Sequence, residues 1–376
     1  MTVRTPNFKL SLGSVDFSNR GKKKYVQSIE VDQTSDGPSS FKIILDDSDN
    51  TFSEGGSCKI REGDACKIEL GFIETEVKQV IEGLVTGVKA NRKEYSRMLY
   101  EITGFDGLQA LTRGRHRRSW ENIKISDIVS TIAGECSLSA DCDDTGSPVP
   151  FVVQNNLTNL AFLQERAKRI GFEVKVEERR LVFKKPLKTD SGLTLCWKPN
   201  YSYRSNTNEC LLQRCDFDTT TMNVVNKVVV RWYDEKAAKP IVAEATAGGD
   251  GGGGGGGLLA GILGGKMGGD ADAGERASSN NPETTIQISD TPVYSQEEAE
   301  TLANSVLNQR ADNYLTGKGS CEGNAGLKCG VMVKIRDIGK EMDGEYYITK
   351  AKHVLKVGNG QGYGYWTQFE VSRSGR

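Results

Sequence analysis

A lysine that follows a glycine-rich run can hold a phosphate, and "GGDGGGGGGGLLAGILGGKMGG", Gly248 to Gly269, carries one at Lys266. A phosphate loop requires G-x-x-x-x-G-K-[ST], with amides and the lysine on the phosphates and a hydroxyl on the metal. Around Gly265-Lys266 both ends of that pattern fail, because Ala260 stands five residues before Gly265 and Met267 follows the lysine. A dinucleotide fingerprint needs a strand before it and a helix after it. Here the polar, uncapped "DADAGERASSNNPETT" follows instead. Fifteen glycines between Gly248 and Gly274 make ordering as costly as a chain allows. Residues 247–282 therefore read as a flexible insert, whose apolar "LLAGIL" patch is a candidate to dock on a neighbouring subunit or channel.

The other chemistry-bearing residues are sparse. Nine cysteines (Cys58, Cys66, Cys136, Cys142, Cys196, Cys210, Cys215, Cys321 and Cys329) contain no C-x-x-C, which argues against zinc ribbons and redox motifs. They read as small buried hydrophobes, with a Cys58/Cys66 bridge conceivable in an oxidising medium. Only His116 and His353 could serve as imidazoles, which excludes a histidine-rich metal site. His353 lies in an alternating strand with no nucleophile or paired acid beside it and reads as a packed or edge residue. "RGRHRR", Arg113–Arg118, reads as a solvated basic linker, since no nucleic-acid motif surrounds it. "LDDSDNTF", Leu45–Phe52, lacks calcium-loop spacing and reads as turn chemistry. No G-x-S-x-G, H-E-x-x-H or paired-acid pattern occurs. No catalytic, cofactor-binding or metal-binding residue is assigned, no cofactor is expected, and the chain is not read as an enzyme.

The elements that would carry any site follow from periodicity. The chain has 376 residues, net charge −1, 37% apolar and 26% charged residues, a globular composition with room for several cores. Neither nucleic-acid binding nor membrane insertion is expected, and "MTVRTPNFKLSLG" has no signal-peptide core, so a cytoplasm-like compartment is expected. "YVQSIEVDQ", "SSFKIILDD" and "CKIELGFIE" alternate as strands. Val80–Val88 and Leu99–Phe105 form a hairpin about a polar turn at 91–96, which predicts a small barrel or sandwich. Ser126 is placed to cap a helix carrying Ile128, Val129, Ile132 and Ala133. Thr158 caps a second, whose stripe is Leu160, Leu163, Ala167 and Ile170 and which Gly171 ends; a hairpin turning at Glu177–Arg180 follows. "MNVVNKVVVRWYDE" is the strongest later strand, with Trp232 and Tyr233 expected to pack. Ser295 and Glu298 make an S-x-x-E capping box for a helix with the stripe Ala299, Leu302, Ala303, Val306 and Leu307. The C-terminal part is β again.

Three of these stretches together resemble the phage late control D family, the hub proteins of contractile-tail baseplates. They are Val80–Leu111, ending in the D-x-L-x-x-L step at Asp106, Leu108 and Leu111; Asn156–Phe183; and Cys329–Arg373, with Gly344, Tyr346 or Tyr347, Ile348 and His353 in the family's closing pattern. Mu-like tail hubs and the N-terminal part of the type VI spike protein VgrG are relatives. The resemblance implies a mainly β fold with an α+β insert: two tube-like β-barrel domains plus a small α+β domain, assembling as a homotrimeric, pseudo-hexameric ring. The expected domains are 1–112, a first barrel; 113–190, α+β; and 191–376, a second barrel with the glycine-rich insert 247–282 and a docked helix at 295–313. The implied role is structural, adapting a six-fold inner tube to a three-fold spike. Its expected partners are a tube or tube-initiator protein above, a separate spike protein below and baseplate wedge proteins. The chain ends at Arg376 without the neck and needle of VgrG, hence the separate spike. Location would be cytoplasmic during assembly and then in the particle. The alternative kept open is an exported glycan-binding or cell-wall-degrading tail module.

Overall fold

The computed structural model describes residues 4–52, 59–92, 98–177, 179–197, 208–222, 224–234, 237–247, 284–357 and 363–374. The glycine-rich stretch and its LLAGIL patch lie outside the described residues.

The first lobe is built from β1 (Pro6–Leu12), β2 (Val15–Asp16), a helical turn α1 (Arg20–Lys23), β3 (Val26–Thr34), β4 (Ser40–Asp46), β5 (Ala65–Phe72), β6 (Lys78–Arg92) and β7 (Met98–Phe105). Its strands pair antiparallel in the order β3-β4-β7-β6-β5-β1-β2. Alternation sets one face inward, as in β4, where Phe41, Ile43 and Leu45 are buried. They share a core with Ile29, Ile68, Leu70 and Ile102.

A 3₁₀ turn at Gly107–Thr112 follows, and Asp106 caps it by accepting from the Leu108 amide. The next stretch holds β8 (His116–Ile123), α2 (Ile125–Glu135), β9 (Ser139–Cys142), β10 (Val149–Leu157), α3 (Asn159–Ile170), β11 (Glu173–Glu177) and β12 (Arg180–Lys184). It has its own core of Leu108, Leu111, Ile128, Ile132, Leu163 and Phe183, among others. Thr158 Oγ1 accepts from the Ala161 amide and Gly171 closes α3 at φ +68°, as the sequence predicts. Ser126 is a correction. Lys124 occupies the N-cap of α2 without a side-chain bond, and Ser126 lies in the first turn, its amide donating to Thr145 Oγ1 at 3.1 Å. The extended exit from β8 fixes where the helix begins, and a distant threonine supplies the missing acceptor.

The second lobe is a closed six-stranded ring. β13 (Thr189–Cys196) pairs parallel with β14 (Glu209–Thr219) on one side and with β19 (Val331–Arg336) on the other. β14 continues through β18 (Leu315–Glu322), β21 (Gly364–Arg373) and β20 (Gly344–Lys356), and β20 returns to β19. β20 also pairs antiparallel with β3, so ring and first lobe form one continuous sheet.

Between β14 and β18 the chain leaves the ring. β15 (Lys227–Asp234), β16 (Lys239–Thr246) and β17 (Thr285–Ile288) form a small sheet covered by α4 (Gln296–Ala311), with a core of their own. Ser295 Oγ accepts from the Glu298 amide at 3.0 Å, but the Glu298 carboxylate reaches back to the Tyr294 amide, one residue before the cap. Trp232 packs against this core, whereas Tyr233 is a further correction: it is 54% exposed.

Candidate assembly surface and buried junctions

β18 shows how the ring is filled. Its inward row reads Leu315, Gly317, Gly319, Cys321, and Gly323 continues it just past the strand. A Cβ on Gly319 would sit 2.5 Å from the Phe369 ring and 2.6 Å from the Arg214 carbonyl, and one on Gly323 would sit 2.3 Å from the Tyr365 ring. Absent side chains on one strand thus leave room for aromatic rings from its neighbours. Phe217 stacks at a tilt on Tyr346, with ring centroids 5.4 Å apart.

His353 belongs to a buried polar string inside the sheet. Its Nδ1 lies 2.9 Å from the Tyr365 hydroxyl and 3.1 Å from Thr367 Oγ1. Thr367 Oγ1 accepts from the Asn324 amide, and Asn324 Nδ2 donates to Cys210 Sγ at 3.2 Å. The imidazole is fully buried, with no hydrogen-bond partner of normal geometry for Nε2. Burial, reinforced by the Lys328 cation, lowers its pKa to about 3. A neutral, packed histidine is what the strand pattern leads one to expect.

Polar contacts, unannounced in the sequence, join the units. Gln33 donates to the Val80 carbonyl at 2.7 Å and accepts from the Cys329 amide at 3.2 Å, bolting the first lobe to the ring. The α3 carbonyl of Lys168, left without an intrahelical partner at the helix end, accepts from Ser305 Oγ at 2.6 Å and Gln309 Nε2 at 3.0 Å of α4. Arg118 donates to Gln154 Oε1, Glu135 Oε1 and Asn159 Oδ1 and lies over the Trp120 ring. This corrects the reading of Arg113–Arg118 as a linker. Only the residues before His116 are connection; His116 to Arg118 pair within β8, because β10 supplies a partner strand. Beside them lies a cavity of about 400 Å³ lined by Asp106, Arg113, His116, Glu135 and Asn159, among others. Burial raises the Asp106 pKa, against the pull of the Ser39 and Leu108 amides that it accepts.

The acidic turn holds itself together: Asp47 Oδ1 accepts from the Phe52 amide and Asp49 from Tyr25 and Thr51 hydroxyls. Eight of the nine cysteines are described, all as free thiols; burial raises Cys210 to about 11 and Cys329 to about 12. Cys58 lies outside the described residues. Among the described residues no cluster of three or more His, Cys, Asp or Glu side chains is placed to hold a metal ion, and no helix is long and apolar enough to cross a membrane.

From β18 to β7 the outward sheet face carries ion pairs across neighbouring strands: Lys318 with Glu370 (3.6 Å), Lys350 with Asp32 (3.5 Å), Lys352 with Glu30 (3.0 Å) and Lys42 with Glu101 (2.9 Å).

Comparison with known proteins places this architecture. Residues 60–359 match the family described as phage tail baseplate hub (GPD). A probable baseplate hub protein of Escherichia phage 186 is 24% identical over 254 residues, 64% of this chain and 59% of that protein. The 43 kDa tail protein of prophage MuSo2 from Shewanella oneidensis superposes with a TM-score of 0.68 at 14% identity, covering 98% of this chain and 99% of the other. An Escherichia coli type VI secretion component described as structurally similar to phage T4 tail proteins superposes with a TM-score of 0.53 at 13% identity, covering 96% and 76%. At such identities these likenesses show the fold.

Proposed function

This chain belongs to the phage tail baseplate hub (GPD) family, and on that premise we propose that it joins a six-fold tail tube to a three-fold spike as a homotrimer. The observation that carries this is the pairing of two six-stranded lobes, β1–β3–β4–β5–β6–β7 and the closed ring, through the single β20–β3 ladder. Three such chains present six lobes around one axis, and closed symmetry resolves the mismatch between tube and spike. Continuous ladders suit the task, since shear must break many backbone hydrogen bonds together and closure removes sheet edges. The function is mechanical: position and stiffness take the place of turnover. We take 1–112, 113–190 and 191–376 as the domains of that assembly, supported by four hydrophobic cores that follow these bounds except that Leu108 and Leu111 join the α+β core and Ala325, Leu355 and Tyr365 the first.

The partners follow from the same reading: a tube or tube-initiator protein above, a separate spike below and wedge proteins around, with assembly in the cytoplasm before incorporation into the particle. The family match lends no support to glycan binding or wall degradation. The native mass of the purified chain tests the proposal. Three copies, alone or with spike protein, are expected; a chain that stays single with tube and spike proteins present overturns it.

A further inference from the structure

The basic segment Arg113–Arg118 does more than enter β8. Its first half borders the cavity of about 400 Å³ where the first lobe meets the α+β domain, a volume that holds a small ligand. The charges around that cavity do not balance. Asp106 has both carboxylate oxygens turned onto amides, Oδ2 accepting from Ser39 at 2.9 Å and Oδ1 from Leu108 at 3.0 Å. Glu135 is ion-paired to Arg118 at 2.5 Å. Both lining carboxylates are thus occupied within the chain. Arg113 is exposed and His116 half-buried, and among the described residues no side chain pairs with either.

A second observation comes from the cavity wall. Asn159 lines it and is only 3% exposed. Its Oδ1 accepts from Arg118 Nη2 and from Gln154 Nε2, both at 3.0 Å, which fixes the orientation of the amide. Nδ2 carries two hydrogens. Among the described residues it donates only to the Sγ of Cys136, another lining residue, at 3.9 Å. A thiol is a weak acceptor, and a buried donor so poorly satisfied is a cost that a ligand oxygen would remove. Leu84, 52% exposed, adds an apolar edge to the same cavity.

We propose that this cavity is a socket for an acidic segment of another baseplate protein. One carboxylate enters between Arg113 and His116 and accepts from Asn159 Nδ2, while a neighbouring apolar residue of the same segment covers Leu84. A carboxylate has lone pairs for several donors at once, and a guanidinium fork matches its geometry. Nucleic acid fits this cavity poorly. A strand carries a phosphate about every 3.4 Å and would press further charges against Asp106 and Glu135. No aromatic ring besides the His116 imidazole lines the cavity to stack a base. The inference rests on the chain's place in a baseplate and not on the three-fold symmetry proposed above.

The test replaces Leu84 with the photo-cross-linker p-benzoylphenylalanine and maps the peptides joined to it in the assembled particle. The cross-link should fall on a different baseplate protein, in a peptide that carries Asp or Glu. Arg113→Glu should lower its yield at least about tenfold, and changing the mapped acid to lysine should restore it. A cross-link to DNA, to a second copy of this chain or to a peptide without an acid overturns the inference, as does the absence of any cross-link. Native mass of the same particles reports the trimer separately, so failure of the ring and failure of the socket are distinguishable. A second arm leaves β6 unaltered. The free chain should bind fluorescein-labelled hexaglutamate at least about tenfold more tightly than labelled hexathymidylate of comparable charge. Arg113→Glu should abolish that preference with its melting temperature unchanged. Equal binding of the two probes by the unaltered chain overturns the inference.

Discussion

The two β-lobes reach similar size by different routes. The first fills its interior with both aliphatic side chains, Ile29, Ile43, Leu45 and Ile68, and aromatic ones, Phe8, Phe17, Phe41 and Phe52, and makes room for Phe41 at one glycine, Gly104, whose Cβ would meet that ring at 2.2 Å. Its strand order runs from β3 to β2 without a closing pair among the described residues. The second closes on itself and does so with less inward bulk on β18, where Gly317 and Gly319 in succession admit Phe217 and Phe369. A ring of six strands has little interior volume, so large rings fit only where a facing strand gives up its side chains. The open lobe makes that concession at a single position, Gly104, and its end strand β3 finds its partner in β20. Closure in one lobe thus serves both.

The sharpest way to break this comparison is to fill the ring. Gly319→Val should cost about 3 kcal/mol or more, because the clash is with a ring and a backbone carbonyl. Gly134→Ala, at an exposed position of α2 with nothing within 4 Å, should be neutral or stabilising by up to about 1 kcal/mol. Thermal unfolding of the two variants checks the pair; equal melting temperatures would refute the packing argument.

Truncation of either core comes next. Ile29→Ala in the first lobe and Ile348→Ala in the ring should each cost about 2–5 kcal/mol. If the β20–β3 ladder couples the lobes, both variants will lower one shared calorimetric transition. Two transitions, each moved by one variant alone, would show the lobes to be independent.

Acid should loosen the structure through His353. Its folded pKa of about 3 lies below the unfolded value of about 6.5, so between these values the unfolded chain binds more protons. Stability is then complete above about pH 6.5 and falls by up to about 1.4 kcal/mol per unit as pH drops toward 3. His353→Gln should flatten that slope relative to the parent in urea titrations between pH 6.5 and 4. An unchanged slope would mean that the imidazole is solvated.

The smallest effect belongs to the seam ion pair. Lys352→Ala and Glu30→Ala, in a double-mutant cycle, should show coupling of at most about 1 kcal/mol that fades with salt. A larger, salt-independent coupling would mean that the outward face is drier than its composition indicates.

Local order was readable in advance and distant pairing was not. The Val80–Phe105 hairpin, the Thr158-to-Gly171 helix and the Ser295 cap are written in residues a few positions apart, where periodicity and capping chemistry act. Asp106, Leu108 and Leu111 likewise form a cap and two buried anchors within six residues. Gln33 meets Cys329, and Lys168 meets Ser305, across well over a hundred residues, and no local pattern marks a side chain for such a bond.

The position of β13 has a consequence for how the protein is made. Wedged in parallel between β14 and β19, it cannot complete its pairing until residues more than a hundred positions downstream have left the ribosome, and the last ring strand ends at Arg373. Until then β3 presents an unpaired edge, with nearly the whole first lobe already synthesised ahead of it. Nascent chains stalled anywhere between 106 and 343 are the species most prone to pair wrongly with one another, and slow translation over that interval is where yield will be lost.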